Sequence, residues 1–434
     1  METPKKNWLA VRNLLIACVA VLGASLAAPA APKIASIHIS GERQYSEAQI
    51  IAASGLQLGQ DFDASALQSA AQRLGTSGAF DDVEFRYRPV SNGMDVEFTV
   101  REAAKLHGVV FDNFVWFTNP QIDDYLRKQV PLFSERLPES GTLLDDVAAA
   151  LQQMLANDKI DARIERVQFG PLGSPDWVHL YSISGLELKI QTVQFQGAQG
   201  MDAATLQQAA LPLVARDYSR TQCGAFGAAT FIPLYRQRGY LRIAVGDPTS
   251  RVLNQPAAAN QYDIEVTFPV TEGLVYTWTA TQWAGNQVLA SSDLSTLVGM
   301  RPGEVADGLK IDAGWQAVND AYGKKGYVEA NVNPEPVYDD ANHSVTFHAA
   351  VTEGPQYHMG TFTATGLPPA VAQQIVSKWR LKSTDVYDSS YARDFLRKDL
   401  PQILAAAKIH FSEIGVQTQP SHDTLTVDVS ISFK

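Results

Sequence analysis

The sequence predicts an α+β protein made of five tandem units, each with the element order β-α-α-β-β, arranged as an elongated array. Five alternating strands open the units, and their end positions (Gly41, Asn113, Gly197, Gly285 and Gly366) lie 72, 84, 88 and 81 residues apart. Each unit closes with another alternating run. One run ends as Val270-Thr271-Glu272-Gly273, and 81 residues later Val351-Thr352-Glu353-Gly354 repeats it, with a weaker match at Val100-Arg101-Glu102-Ala103. A repeated closure implies a repeated domain.

The strands that bound the units alternate with a period of two, which is typical of strands with one covered face. The opening strands are Ile34 to Gly41, Gly108 to Asn113, Leu188 to Gly197, Trp278 to Gly285 and Tyr357 to Gly366. The closing strands are Met94 to Val100, Trp177 to Ile183, Tyr262 to Val270, Ser344 to Val351 and Leu425 to Phe433. The predicted domains are therefore residues 32–103, 104–186, 187–273, 274–354 and 355–434, which we call the first to fifth repeats.

Two helical stretches separate these strands in each repeat, and the second is the clearer one. Apolar residues at helical spacing are Ala64, Leu67, Ala71 and Leu74, and likewise Ile311, Trp315, Val318 and Tyr322. These residues are expected to cover the sheet. Asp63 and Asp312 stand where a helix start favours a negative charge. Gly78-Ala79-Phe80, Gly239-Tyr240 and Gly326-Tyr327 are expected to end the helices, because Gly accepts the left-handed conformation.

Residues 1–31 have the features of a secretory signal peptide. Lys5, Lys6 and Arg12 precede an uncharged apolar run, and small residues follow it, with cleavage expected near Ala27. Two alternatives stay open. Leu15-Ile16-Ala17-Cys18 resembles a lipoprotein cleavage box, and the apolar run could remain as an uncleaved anchor, although it is short for a span of roughly 20 residues.

The net charge of −11 becomes −13 when the signal peptide, with three positive charges and Glu2, is removed. A field of this sign repels phosphate backbones and anionic lipids, so nucleic acid and a membrane surface are not expected as direct partners. Cys223 is the one cysteine beyond the signal peptide, which excludes an intramolecular disulfide. We expect it to be a buried small hydrophobic residue, and no later apolar run is long enough to span a membrane.

Motifs of catalysis, metal binding or phosphate binding are not found, so we expect neither an enzyme nor a cofactor. Ser421-His422-Asp423 contains the residue types of a hydrolytic triad, but neighbours in a hairpin turn cannot face one another. His343 and His348 lack a carboxylate or Cys at ligand spacing. The paired aspartates, such as Asp339-Asp340, lack the spaced oxygen ligands of a calcium site.

In the order of these elements the chain resembles the polypeptide-transport-associated (POTRA) domain. The matching features are the Gly-ended first strand, the Gly-aromatic turn before the second strand and the Val-x-Glu-Gly end of the third. Five such units after a signal peptide resemble the periplasmic arm of the outer-membrane protein assembly factor family. The resemblance implies, for each unit, a three-stranded mixed sheet with the third strand in the centre and two covering helices.

Several features depart from that family. Its C-terminal membrane barrel has no counterpart before Lys434, where this sequence stops. The second repeat has Asn157-Asp158-Lys159-Ile160 and the fifth has Lys408-Ile409 in place of the Gly-aromatic turn. Pro233 and Pro401 fall within the second helices of the third and fifth repeats, where each is expected to cause a kink.

The resemblance implies a periplasmic polypeptide-binding scaffold or chaperone-like protein in outer-membrane protein assembly or transport. Its expected location is the periplasm, and association with the outer membrane stays open. Its expected partners are unfolded outer-membrane proteins or a separate barrel protein. The alternative is an architectural protein that spaces envelope components without binding client chains. The sequence names no client.

Partners are expected to pair with the second strand of a repeat, because the central position of the third strand leaves the second at the sheet edge. The candidate edges are Val83 to Tyr87, Arg163 to Phe169, Leu241 to Val245, Val328 to Val332 and Ile409 to Val416. Their charged residues, including Glu84, Arg86, Arg242 and Glu329, can equally protect against edge-to-edge aggregation. The favoured site carries a single charge and consists of Leu241, Arg242, Ile243, Ala244 and Val245.

Overall fold

The computed structural model describes residues 31–171, 174, 176–253, 260–409 and 411–434. The signal peptide predicted before Ala31 lies outside the described residues. The chain divides into two compact units. The first comprises the described residues of Met1–Val110, with Ile122–Asn157 and Arg166–Leu180; the second comprises Phe111–Gln121, Asp158–Glu165 and Tyr181–Lys434.

The first sheet contains strands β1 (Ile34–Ser40), β2 (Phe80–Val90) and β3 (Gly93–Glu102), in the order β1-β3-β2. Strand β3 is parallel to β1 and antiparallel to β2, so the sheet is mixed and its third strand is central. Helices α1 (Glu47–Ser54) and α2 (Ala64–Thr76) accompany it. Leu67, Ala71 and Leu74 of α2 are buried as predicted, whereas Ala64 is exposed. Asp63 caps α2 by accepting a hydrogen bond from the Ser65 amide.

The second sheet has four strands rather than three. They are β4 (Leu106–Phe111), β5 (Arg136–Pro138), β6 (Arg163–Phe169) and β7 (Val178–Ser184), in the order β5-β4-β7-β6. The additional strand is β5, which pairs antiparallel with β4. The helices of this segment are α3 (Asn119–Gln129) and α4 (Thr142–Asn157).

The third sheet has an interrupted edge. Its elements are β8 (Glu187–Gln196), α5 (Ala203–Ala210), α6 (Arg220–Arg236), β9 (Ala244–Val245), β10 (Thr249–Val252) and β11 (Gln261–Thr271). Strand β11 is central, with β8 parallel to it, while β9 and β10 both pair antiparallel with it. The second strand predicted for this repeat is therefore split into two short segments.

The last two sheets have the same order as the first. One contains β12 (Thr277–Ala284), α7 (Ser291–Val298), α8 (Gly308–Lys324), β13 (Asn331–Asp339) and β14 (Ser344–Thr352). The other contains β15 (His358–Thr365), α9 (Pro369–Lys378), α10 (Ser389–Asp394), α11 (Leu400–Ala406), β16 (Ile414–Ser421) and β17 (Thr426–Phe433). Strands β14 and β17 are central. The protein is thus a mixed α+β protein with several small mixed sheets.

The helix features differ in part from the predictions. Asp307, not Asp312, caps α8, and Ile311, Val318 and Tyr322 are buried along that helix while Trp315 is half-buried. Helix α6 runs through Pro233 to Arg236 without a break. Pro401 follows a π-helical turn, Phe395–Asp399, between α10 and α11. A proline cannot donate to the helical ladder, and such irregular turns accommodate the missing bond. None of the described helices is long and apolar enough to cross a membrane.

Candidate partner-binding edges and repeat joints

The glutamate of the repeated closure binds the loop that follows the opening strand. Glu102 accepts hydrogen bonds from the amides of Arg43, Gln44 and Tyr45 at 2.9 to 3.1 Å. In the third repeat, Glu272 accepts from the amides of Gln199 and Gly200 at 2.9 and 2.8 Å. In the fourth, Glu353 accepts from the amides of Gln287 and Val288, both at 2.8 Å. In each of these three repeats, the carboxylate at the end of the closing strand is therefore bound to the loop after the opening strand, which ties the two ends of the repeat together.

A buried tyrosine completes this arrangement in two repeats. The hydroxyl of Tyr235 donates to Glu272 at 2.8 Å, and that of Tyr322 donates to Glu353 at 3.0 Å. Burial raises the pKa of both phenols, and the hydrogen bond to the neighbouring carboxylate raises it further. Each tyrosine therefore stays neutral and donates its proton.

The Gly that ends an opening strand is required for a close approach to the closing strand. Gly285 has a φ of +84°, and a Cβ on it would lie 2.2 Å from the Val351 carbonyl oxygen. Gly41 would meet Val100 in the same way, at 2.1 Å. A side chain is excluded at this position by both backbone conformation and space.

The five edges predicted from the sequence have mixed outcomes. Val83 to Tyr87 lies within β2, and Arg163 to Phe169 coincides with β6; both strands stand at the end of their sheet. The prediction of Val328 to Val332 was wrong at its start, because β13 begins at Asn331. The prediction of Ile409 to Val416 was likewise wrong before Ile414, where β16 begins. Residue 410 of that range lies outside the described part of the chain.

The favoured edge was also misplaced in part. Ala244 and Val245 form β9, but Leu241 and Arg242 lie in a turn and Ile243 is outside any strand. Leu241 packs against the buried core of the fourth repeat, and Ile243 against a smaller core in the third. These contacts hold the segment after the Gly239-Tyr240 turn away from the sheet. Binding of a partner to Leu241, Arg242, Ile243, Ala244 and Val245 stays a prediction.

Among the second strands of the repeats, β16 has the edge with the fewest obstacles to pairing. Its sequence, Ile414–Ser421, contains no charged residue, and Ile414 and Val416 are 40% and 44% exposed. Glu413 and Lys434 exchange both backbone hydrogen bonds, so alternate residues from Ile414 onward direct their amides away from β17. Pro420 falls in this outward set, as expected for a proline in an edge strand. Val416 and Thr418 therefore present free outward donors.

The second-strand edges β13, β2 and β10 carry more protection. Strand β13 contains Pro334 and Pro336, which share one orientation and remove two donors from the same side. Strand β2 is rich in charge, and its Arg88 pairs with Asp95 at 2.9 Å. Strand β10 has four residues, among them Arg251, which pairs with Glu265 at 2.7 Å. Charges, prolines and short length all oppose pairing at an edge.

Two joints within the second compact unit have the same backbone contact. The amide of Tyr276 donates to the Gly239 carbonyl at 3.0 Å, and that of Tyr357 donates to the Gly326 carbonyl at 2.8 Å. We call these the third–fourth and fourth–fifth joints. In both joints, the glycine carbonyl of the Gly-aromatic turn therefore accepts a hydrogen bond from the residue that immediately precedes the next opening strand.

An ion pair between successive second helices reinforces each joint. Arg236 of α6 binds both carboxylate oxygens of Asp312 in α8, at 2.6 and 2.9 Å. Arg393 of α10 binds both oxygens of Asp320 in α8, at 3.2 and 2.8 Å. The Arg393 guanidinium lowers the pKa of the Asp320 carboxyl. Bidentate pairs of this kind fix orientation as well as contributing energy.

The residues weighed for chemistry have structural contacts. His422 lies in the turn between β16 and β17, where it contacts Glu329 and Tyr357. Ser421 accepts a hydrogen bond from Thr424. Cys223 is buried, as predicted, and burial raises the pKa of its thiol to about 11. Within the described ranges, no group of three or more His, Cys, Asp or Glu side chains is placed to hold a metal ion.

The model of the POTRA family, described as "Surface antigen variable number repeat", matches residues 32–103 and 276–354. Both segments contain the glycine-ended strand and the loop-binding glutamate, Glu102 in one and Glu353 in the other. These two segments are therefore POTRA domains, and the resemblance to that domain that was noted in the sequence is confirmed.

A curated relative and solved structures are similar to larger parts of the chain. A protein of Treponema pallidum (strain Nichols) named "Putative outer membrane protein assembly factor" is 23% identical over 363 residues, covering 81% of this chain. The chain spans 40% of that protein's length. POTRA domains 3–5 of Haemophilus influenzae BamA are 19% identical, covering 57% of this chain and 96% of that one, with a TM-score of 0.47. POTRA domains 1–3 of Omp85 from Anabaena are 18% identical, covering 57% of this chain and 95% of that one, with a TM-score of 0.27.

Proposed function

We propose that the chain is a periplasmic polypeptide-binding scaffold that takes part in outer-membrane protein assembly or transport. It consists of five POTRA-like repeats with the boundaries given above, and its partners are unfolded outer-membrane proteins or a separate barrel protein. The name of the Treponema pallidum relative supports this role, as does the presence of POTRA domains.

The observation that carries the proposal is the uncharged, exposed edge of β16. A client segment that pairs there gains main-chain hydrogen bonds from Val416 and Thr418, and these bonds do not depend on the client's sequence. Ile414 and Val416 add exposed apolar surface for alternate client side chains. An extended, apolar polypeptide segment is therefore the partner that fits this edge, and the short β9 edge at Ala244 and Val245 is a second candidate.

A matched pair of substitutions tests this site. Val416→Lys places a charge on the open β16 edge, while Val337→Lys places the same charge on β13, whose edge is interrupted by prolines. The two valines are 44% and 49% exposed, so both variants should fold. We expect Val416→Lys to weaken binding of an unfolded outer-membrane protein and Val337→Lys to leave it unchanged. Equal binding by both variants and the parent chain would remove β16 from the proposal.

The bidentate pairs at the two joints favour a second candidate function. A protein that only spaces envelope components needs oriented joints and no client edge, and Arg236–Asp312 and Arg393–Asp320 supply such orientation. Capture from a periplasmic extract separates the two functions. Recovery of unfolded outer-membrane proteins supports the scaffold, whereas recovery of assembled envelope machinery alone supports the spacer.

A further inference from the structure

Arg220, the first residue of α6, is a half-buried arginine without an ion pair. In the described part of the chain, the arginines that are half-buried rather than exposed are Arg220 and Arg236. Arg236 binds both carboxylate oxygens of Asp312. Arg220 forms no ion pair with any described residue; its Nη1 donates to the side-chain oxygen of Asn119, and its Nε is buried without a hydrogen-bond partner among them. Withdrawing a guanidinium from water without a carboxylate partner is unfavourable.

The groups beside this guanidinium are neutral or already bound. Burial raises the pKa of the Tyr218 phenol, and the nearby Ser250 and Arg220 only partly oppose that effect, so the phenol stays neutral. The buried Asp112 carboxylate accepts hydrogen bonds from the Ser219 hydroxyl at 3.1 Å and from the Thr221 amide at 2.8 Å. It therefore caps the start of α6 and does not pair with Arg220.

The guanidinium lines a cavity of about 250 Å³ within the second compact unit. Trp116 and Phe117 supply aromatic surface to it, and Thr249 and Ser250 of β10 supply hydroxyl groups. Asp247, which is exposed, is the one carboxylate among its lining residues. Sites for drug-sized ligands measure about 300–1,000 Å³, so this cavity holds a smaller group.

We propose that this cavity binds a carboxylate joined to a small apolar group. The carboxylate accepts hydrogen bonds from the remaining donors of Arg220, and the apolar group packs on Trp116 and Phe117. Arginine is suited to this role because its planar fork pairs with a carboxylate through two parallel hydrogen bonds. Free organic acids and the acidic side chains of a polypeptide share this chemistry. The site uses no residue of β16, so it does not depend on strand pairing there.

Asp247 gives the proposal a second, opposite sign. Its carboxylate shares the cavity with Arg220, yet the two form no ion pair. A bound carboxylate is therefore attracted by Arg220 and repelled by Asp247. Loss of the arginine charge weakens binding, and loss of the aspartate charge strengthens it.

Nuclear magnetic resonance of the full chain tests the site with phenylacetate and its neutral counterpart, phenylacetamide. The indole N–H of Trp116, assigned with Trp116→Phe, reports occupancy. We expect a saturable shift with phenylacetate at a Kd on the order of 1 mM, and binding of the amide at least about tenfold weaker. A short peptide with one Asp, compared with its Asn form, identifies the source. Tighter binding of the Asp peptide than of phenylacetate assigns the site to a polypeptide, and weaker binding assigns it to a free acid.

Three variants assign the effect, with hydrogen exchange of β11 as the check that each is folded. Arg220→Gln should weaken phenylacetate binding at least about tenfold, and Asp247→Asn should strengthen it about two- to fivefold. Arg216→Gln, at an exposed arginine outside the cavity, should leave it unchanged.

Equal shifts with the acid and the amide overturn the proposal, as does unchanged binding in folded Arg220→Gln. If Arg220→Gln does not fold, Asp247→Asn decides, because binding that is unchanged or weaker in that variant is contrary to the proposal. No shift in the parent chain also overturns it, since water then satisfies Arg220.

Discussion

Replacing Glu353 with Ala is expected to destabilise the fourth repeat by about 3 kcal/mol. The carboxylate accepts hydrogen bonds from the amides of Gln287 and Val288 and from the hydroxyl of Tyr322. Bonds to a charged acceptor contribute about 1.5 kcal/mol or more each, and Glu353 is only half-buried, which favours the lower value. Water can replace the carboxylate at the exposed Gln287 amide, but not at the Tyr322 hydroxyl, whose residue is fully buried.

Hydrogen exchange of buried amides in β14, such as that of Phe347, measures this loss for one repeat. A single denaturant transition does not, because a chain with several domains need not unfold in two states. A loss of about 3 kcal/mol corresponds to exchange about a hundredfold faster, with β17 little affected. The control is Glu335→Ala, since Glu335 is exposed on β13 and accepts only from the Asn333 side chain among the bonds described. Equal acceleration in both variants would refute the role assigned to Glu353.

Three further outcomes are expected. Gly285→Ala should destabilise the fourth repeat by about 3 kcal/mol or more, whereas Gly303→Ala should destabilise it by about 1 kcal/mol, both measured by hydrogen exchange of β14. The backbone angle φ is similar at the two glycines, but only at Gly285 would an added Cβ meet a carbonyl oxygen, that of Val351. The pKa of Asp320 is depressed in the folded chain, so Arg393→Gln should cost about 0.5 kcal/mol at neutral pH, and this cost should disappear as the pH falls through the depressed pKa and the carboxyl becomes protonated. Cys223 should be alkylated at least about a hundredfold more slowly in the folded chain than in denaturant at about pH 8.

The positions that the sequence predicted best are those fixed by local backbone geometry. The glycine at the end of an opening strand and the glutamate of the closure recur in the first, third and fourth repeats because each contacts the other end of its own repeat. Gly285 meets the Val351 carbonyl, and Glu353 binds the loop after Gly285. Such residues leave a repeated pattern that can be read without a structure.

The edge strands were predicted less well because their starts depend on contacts between repeats. Leu241 follows a Gly-aromatic turn and alternates like a strand, yet it packs on the core of the next repeat. Glu329 likewise precedes β13 and contacts Tyr357 instead of extending the strand. Alternation shows which residues are apolar and not which neighbour they cover.

Hydrogen exchange of β16 in the presence of an unfolded outer-membrane protein tests the proposed polypeptide-binding role most directly. The outward amides of Val416 and Thr418 should become protected when the client binds, because they gain carbonyl partners from the added strand. The outward Val332 amide of β13, beside Pro334 and Pro336, should show no such change. Client binding that leaves Val416 and Thr418 as exposed to exchange as in the free chain would contradict pairing at this edge. The absence of any binding would contradict the scaffold itself.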